Sequence, residues 1–202
     1  DGASHQAITD LAFVRAIPNM TVITVADAVE TKKAVFAIAE HQGPVYLRLS
    51  RAAAPVFYPE DMKFEIGRGI TVREGGDVTI ITTGTVLHKA LAAAELLEAK
   101  GIQARVVDMH TIKPIDEELI IECARETGAI VTVEEHSVCG GLGSAVAEVL
   151  AEHMPVPMTR IGATDFAESG DYEQLLVKYG YGPESIAEKC EKVMKRKQVQ
   201  KK

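Results

Sequence analysis

Hydrophobic positions alternate between a helical and an extended rhythm along almost the whole chain. Ile8, Leu11, Ala12 and, one turn on, Arg15-Ala16 keep a 3.6-residue stripe that Pro18 stops, so a helix is expected from about His5 to Ala16 with Ser4 as its N-cap. The run Thr21-Val22-Ile23-Thr24-Val25 reads as a buried strand. Asp27 followed by Glu30 resembles a capping box and opens a second helix to about His41, with Val29, Ala34, Val35 and Ile38 facing inward and Gly43-Pro44 ending it. Val45–Leu49 is the next strand.

Between Ala52 and Gly69 the rhythm breaks, with Pro55, Pro59, Gly67 and Gly69 set among aromatic and charged residues, which places a boundary there. A first unit over 1–53, a linker over 54–67 and a second unit over 68–202 are expected. The second unit reads strand (Ile70–Val72), Gly75-Gly76 turn, strand (Val78–Thr82), helix (Val86–Lys100), strand (Ala104–Asp108) and helix (Asp116–Thr127). Strand Ile130–Glu134, helix Gly143–His153, strand Met158–Ile161 and two short helices from Tyr172 and Pro183 complete it. Repeated strand-helix units predict an α/β fold with a mainly parallel sheet covered by helices on both faces.

Composition narrows the function. Of 202 residues 47% are hydrophobic and 25% charged, the balance of a folded globule, and no apolar run approaches a membrane span. A formal charge of −7, with Lys192–Lys202 as the only dense basic run, argues against nucleic-acid binding, which needs a concentrated basic surface. Cys123, Cys139 and Cys190 are odd in number and lack metal-ligand spacing, so buried thiols in a reducing cytoplasm are the expectation.

Three places could carry chemistry. His5, at the expected first helical position, would meet free N–H groups and the positive end of the helix dipole, though on residue type alone a surface histidine describes it better. Arg51 follows the strand Val45–Leu49 at the carboxyl end where open α/β sheets place ligands, and its guanidinium suits a phosphate; Arg48, inside the strand, reads as a structural ion pair. Gly140-Gly141-Leu142-Gly143-Ser144 opens a helix after a strand and could hold phosphate on its amides. It matches neither a dinucleotide fingerprint nor a P-loop, and close strand-helix packing is the preferred explanation.

The segment Asp1-Gly2-Ala3-Ser4-His5-Gln6-Ala7-Ile8-Thr9-Asp10-Leu11-Ala12, with Ala16-Ile17-Pro18-Asn19-Met20, resembles the pyrimidine-binding domain of transketolase and its thiamine-diphosphate relatives. The resemblance continues in family order through Ala26–Thr31, Gly43–Arg51, Thr111–Asp116 and Val133–His136 with Gly140–Ser144. It implies a partial pyrimidine-binding domain followed by a compact transketolase C-terminal domain. It also implies that the histidine matching His5 lies beside the reacting carbon of the substrate and contacts its oxygen, that Asp1 accepts a hydrogen bond from a sugar hydroxyl, and that Ser50-Arg51 belongs to the sugar-phosphate site. Glu134, Glu135, His136, Asp108, His110 and Lys113 fall away from the thiamine and are expected to serve packing or subunit contact.

With no Met before Asp1 and a motif already under way, the chain is expected to be part of a longer protein. The acid that activates the cofactor's pyrimidine, the aromatic residues that clasp it and the ligands of the Mg²⁺ on its diphosphate belong upstream in family order. Thiamine diphosphate and Mg²⁺ are therefore expected in the complete enzyme and not on this chain alone, which would be inactive by itself. The implied partners are an N-terminal thiamine-diphosphate-binding part or subunit, a second copy in a homodimer of the complete enzyme, and sugar phosphates, with no nucleic acid or membrane.

Ala3-Ser4 in place of the commoner Pro-Thr favours the split subgroup of transketolases. The rivals are 1-deoxyxylulose-5-phosphate synthase, which typically has proline and glycine around the arginine matching Arg51, and the β subunit of a 2-oxo acid dehydrogenase E1, which Asp1-Gly2 with Ser4-His5-Gln6 weakens. A reading of a different class is a non-catalytic subunit-contact module.

Overall fold

The structure is a computed structural model and describes residues 6–200. Two sheets organise it. The first has three strands in the order β2 (Val45–Arg48), β1 (Thr21–Thr24), β6 (Thr111–Lys113). β1 and β2 pair in parallel with Thr24 opposite Arg48, while β6 runs antiparallel to β1. The second sheet has the order β3 (Ile70–Arg73), β5 (Ala104–Asp108), β4 (Val78–Thr82), β7 (Ile130–Ser137), β8 (Met158–Ala163). Its last four strands are parallel, and β3 lies antiparallel on the edge.

The side-chain alternation of a strand sets the two faces of the second sheet. Ile80, Val106, Val131 and Val133 point to one side, where α3 (Leu87–Glu98) supplies Ala90, Ala94 and Leu97 and α7 (Pro183–Gln200) supplies Ile186, Ala187, Cys190 and Val193. Ile81, Val107 and Ile130 point to the other, against α4 (Glu117–Thr127) and α5 (Leu142–His153). Helices cover both faces, as the repeated strand-helix pattern predicts. α7 is not short: its stripe of Ile186, Ala187, Cys190 and Val193 keeps packing on α3 and carries the helix on through the basic run to Gln200.

In the first unit, α2 (Ala28–Glu40) starts where Asp27 predicts, its side chain accepting from Glu30 N–H at 2.8 Å. The buried stripe takes Val29, Glu30 and Ala34, and Val35 stands half-exposed at 50%. A carboxyl group, not a second valine, fills the inward position, and no apolar periodicity could reveal it.

The first helix is shorter than expected. α1 runs Asp10–Ala16, and Gln6–Thr9 are not helical. The carbonyls that a longer helix would use are taken by tertiary partners: Ala7 O accepts from Arg48 and Ile8 O from Ser137 N–H. The helix expected from His5 does not run through Gln6–Thr9, and Asp1, Ser4 and His5 lie outside the described residues.

β6 was not expected either. It leaves the second unit just after β5 and closes the open edge of β1, and Lys113 Nζ donates to Arg15 O at 2.8 Å and Ile17 O at 2.6 Å, capping the end of α1. Lys113 thus serves packing, in line with the expectation for it.

Candidate functional site

The carboxyl ends of β1 and β2 face those of β4, β7 and β8 across a cavity of about 800 Å³. Parallel strands bring their ligand-facing loops to the same end, and a chain that divides to either side of β4, with β5 on one flank and β7 on the other, opens a crevice there. Thr24, Arg48, Ser50 and Arg51 line one wall, Thr83–Thr85, Glu135 and Gly162–Asp165 the opposite one, and Gln6–Ile8 with Asp10 run along its rim. Arg51 is exposed and lines this cavity, three residues past the end of β2. Asp1 and His5 precede Gln6, the first described residue on the rim.

Arg48, partly buried, makes a set of specific contacts. Its Nε donates to Asp10 Oδ2 at 2.8 Å, and Nη2 donates to Ala7 O at 2.7 Å and Glu135 O at 3.0 Å. Tyr46 OH donates to the same Asp10 oxygen at 2.9 Å, and burial together with that carboxylate raises the phenol's pKa, keeping it a donor. The structural ion pair expected for Arg48 is present, and it reaches farther than a pair.

Glu135 faces the cavity with both oxygens engaged, accepting from Thr85 Oγ1 at 2.8 Å and Tyr172 OH at 3.0 Å. Its neighbours point elsewhere. The fully buried Glu134 accepts from Leu142 N–H at 2.7 Å and Gly143 N–H at 2.8 Å, and burial pushes its pKa up to about 7 against the pull of those two donors. His136, also buried, accepts from Ala12 N–H at Nε2 (3.3 Å), which leaves Nδ1 as the N–H that meets Ser137 O at 2.8 Å. That is the neutral tautomer, and burial lowers the imidazole's pKa accordingly.

The glycine loop is closed to ligands by the same residues. Its amides at the start of α5 are spent on Glu134, and its carbonyls at Gly140 and Gly141 accept from Arg15 Nη1 at 2.7 and 3.3 Å. A Cβ on Gly141 would sit 2.0 Å from Glu134 Oε2, and one on Gly140, at φ +81°, 2.5 Å from Ala12 Cβ. Close packing explains these glycines. A cofactor's diphosphate does not fit here, since the N–H groups it would need already hold a carboxylate.

A third cluster joins the two units behind the cavity. The buried Tyr58 donates its OH to Asp108 Oδ2 at 2.8 Å, and Asp27 Oδ2 accepts from Phe57 N–H at 2.6 Å and Tyr58 N–H at 2.8 Å. Glu30 Oε2 accepts from Ala26 N–H at 2.5 Å. Glu30 Oε1 and Asp108 Oδ1 are buried with no N–H or O–H donor among the described residues. Burial first, and then the charge of Asp108, raise the pKa of Glu30; burial raises that of Asp108 as well. Both shifts favour retention of a proton by the pair. Beside it, His110 stacks on Phe64 at 4.2 Å, and burial pushes its pKa down to about 4.

Of the three cysteines, Cys123 and Cys190 are buried, but Cys139 is exposed, because it sits in the surface turn between β7 and α5. Among the described residues no helix is long and apolar enough to cross a membrane.

Two family models match the chain: the transketolase pyrimidine binding domain over residues 1–56 and the transketolase C-terminal domain over residues 67–186. This chain belongs to the transketolase family. It is 47% identical over 200 residues to a Methanocaldococcus jannaschii protein provisionally named a transketolase C-terminal section, with 97% of this chain and 62% of that protein covered. It is 43% identical to the 6-deoxy-6-sulfo-D-fructose transketolase subunit SqwH of a Clostridium species, covering 98% of this chain and 62% of that protein. The solved structure of a split gene transketolase, an inactive beta4 tetramer, superposes with a TM-score of 0.93 at 52% identity, covering 96% of this chain and 64% of that one. The chain thus spans about three fifths of the length of these relatives and is similar to the C-terminal portion of split transketolases.

Nothing in the residues from Gln6 onward would have revealed Glu30 or Tyr58 as partners of Asp108. The one signal was indirect: Asp27 and Glu30 at capping-box spacing, whose second carboxyl turns out to be the buried one.

Proposed function

We propose that the complete protein transfers a two-carbon ketol unit between phosphorylated sugars, with this chain supplying the substrate-facing C-terminal portion and an N-terminal part or subunit supplying the thiamine diphosphate and Mg²⁺ site. Residues 1–53 complete the pyrimidine-binding domain, 54–67 link, and 68–202 form the C-terminal domain. The observation that carries this reading is the cavity at the facing strand ends, with Arg51 on its wall and the segment leading out of His5 along its rim.

The roles divide by distance from the reacting carbon. His5 contacts the substrate oxygen beside it, Asp1 accepts from a sugar hydroxyl, and the Arg51 guanidinium binds the remote phosphate. Thiamine diphosphate supplies the carbanion chemistry when bound by the complete enzyme. This chain's contribution is positioning and electrostatics, which act by holding the substrate where little motion is needed to react. The complete enzyme works as a homodimer in the cytoplasm.

Reconstitution tests this. The chain, mixed with its N-terminal part, thiamine diphosphate and Mg²⁺, is expected to convert xylulose 5-phosphate and ribose 5-phosphate into sedoheptulose 7-phosphate and glyceraldehyde 3-phosphate. The chain alone is expected to form neither product. A reconstituted pair that condenses pyruvate with glyceraldehyde 3-phosphate and leaves xylulose 5-phosphate untouched would establish the synthase instead.

A further inference from the structure

We propose that Arg48 is a positioning residue for the substrate-contacting segment, fixing the chain just after His5 against the carboxyl end of β7. The inference rests on the transketolase reading above for its consequence in catalysis, and on the contacts of Arg48 for its substance.

One guanidinium serves three acceptors from three parts of the fold. It holds Asp10 at the start of α1, Ala7 O two residues beyond His5, and Glu135 O near the end of β7. The Arg48 side chain is 18% exposed and that of Asp10 16%, so the contacts are largely shielded from water. Two further bonds run along the same seam: Ser137 N–H to Ile8 O at 2.9 Å and Ala12 N–H to His136 Nε2 at 3.3 Å.

Arg48 also belongs to the strand that delivers Arg51. The end of β2 and the three residues that follow it therefore hold the clamp on the segment that carries the proposed reacting-centre histidine and the proposed phosphate anchor. Fixing those two groups relative to each other is what a bimolecular sugar reaction needs, because misplacement of one group by an ångström costs far more rate than affinity. The planar fork suits the task. Its N–H groups diverge at fixed angles and reach all three acceptors at once, whereas a lysine ammonium on a flexible stem is not pre-organised to do so. Gln6 Oε1 accepting from Ala167 N–H at 3.1 Å adds a tether from the far side of the cavity, but it fixes only one point of the segment.

The test is Arg48→Ala and Arg48→Lys in the reconstituted enzyme, read by steady-state kinetics and by amide hydrogen exchange. For Arg48→Ala, kcat is expected to fall at least tenfold on phosphorylated and unphosphorylated ketoses alike while KM stays within about threefold, with partial recovery on addition of guanidinium. Arg48→Lys should fall between Arg48→Ala and wild type. The exchange readout does not depend on turnover: the Ser137 and Ala12 amides should exchange at least tenfold faster in Arg48→Ala, while those of Ile80 and Ile81 in β4 stay unchanged.

If Ser137 and Ala12 keep wild-type protection, the clamp is not there and the proposal is overturned. Faster exchange throughout β4 as well would make Arg48 a general stability residue and equally overturn it; Arg48→Lys, which keeps the charge, guards against a variant that simply unfolds. Should the wild-type pair transfer no ketol unit, the functional reading falls, and the exchange result still decides the role of Arg48.

Discussion

The carboxylate of Glu134, near the end of β7, accepts from the backbone N–H of Leu142, the first residue of α5, at 2.7 Å. A strand residue thus caps a helix eight positions later, and the intervening glycines exist to let the two approach. Glu134→Ala leaves buried donors at Leu142 and Gly143 unpaired and is expected to destabilise by about 2–3 kcal/mol, with Glu134→Gln costing less. Gly141→Ala should cost a similar amount by driving a methyl group into the same carboxylate. Thermal unfolding measures all three; Glu134→Ala within about 0.5 kcal/mol of wild type would contradict the account, that being the range of an ordinary surface change.

Stability should fall as pH rises through and above neutrality. Glu30, Asp108 and Glu134 each have a folded-state pKa above the usual carboxylate range, so the folded chain binds more protons than the unfolded one from about pH 4 upward. Their stabilisation is complete below that range and is lost as pH passes the folded values. His110 acts in the opposite sense: its pKa is depressed to about 4, so its contribution is lost as pH falls from about 6.5 towards 4. Glu30→Gln removes one of the two titrating groups of the buried pair, leaving Asp108. Urea unfolding between pH 5 and 9 should give a shallower loss for Glu30→Gln than for wild type, and identical slopes would refute the shared proton.

Most of this architecture is legible in the residues, and the exceptions have identifiable causes. β4 and β5 lie over the ranges their apolar runs predict, and Asp27 bounds a helix where its capping-box spacing puts it. β6 escaped because three residues beside a proline carry no alternation of their own; the strand is made by the open edge of β1. The late start of α1 escaped because Ala7 and Ile8 are fair helix formers whose carbonyls are claimed by Arg48 and Ser137 from far along the chain. For the site, Arg51 could be placed from its position after a strand, while the reach of Arg48 to Ala7 and Glu135 is a tertiary fact that no spacing encodes.

The isolated chain is expected to bind no thiamine diphosphate. The amide cradle most like a phosphate site is filled by Glu134, and the cofactor's other partners are assigned to the upstream part. Titration calorimetry with Mg²⁺ present should show no saturable heat. Micromolar binding would mean that the chain builds a cofactor site of its own.

The division of labour between His5 and Arg51 can be separated by the substrate. Losing a charge-assisted contact to phosphate costs on the order of 2–3 kcal/mol, or roughly a hundredfold in kcat/KM. In the reconstituted enzyme, Arg51→Ala is expected to show that loss with xylulose 5-phosphate and little change with an unphosphorylated ketose, while His5→Ala lowers kcat for both, its contact being to the reacting end. The ratio of kcat/KM for the two donors in Arg51→Ala against wild type is the deciding measurement. A ratio that falls about a hundredfold agrees with a sugar-phosphate site at the end of β2; a ratio that does not change, with both donors slowed alike, would contradict it.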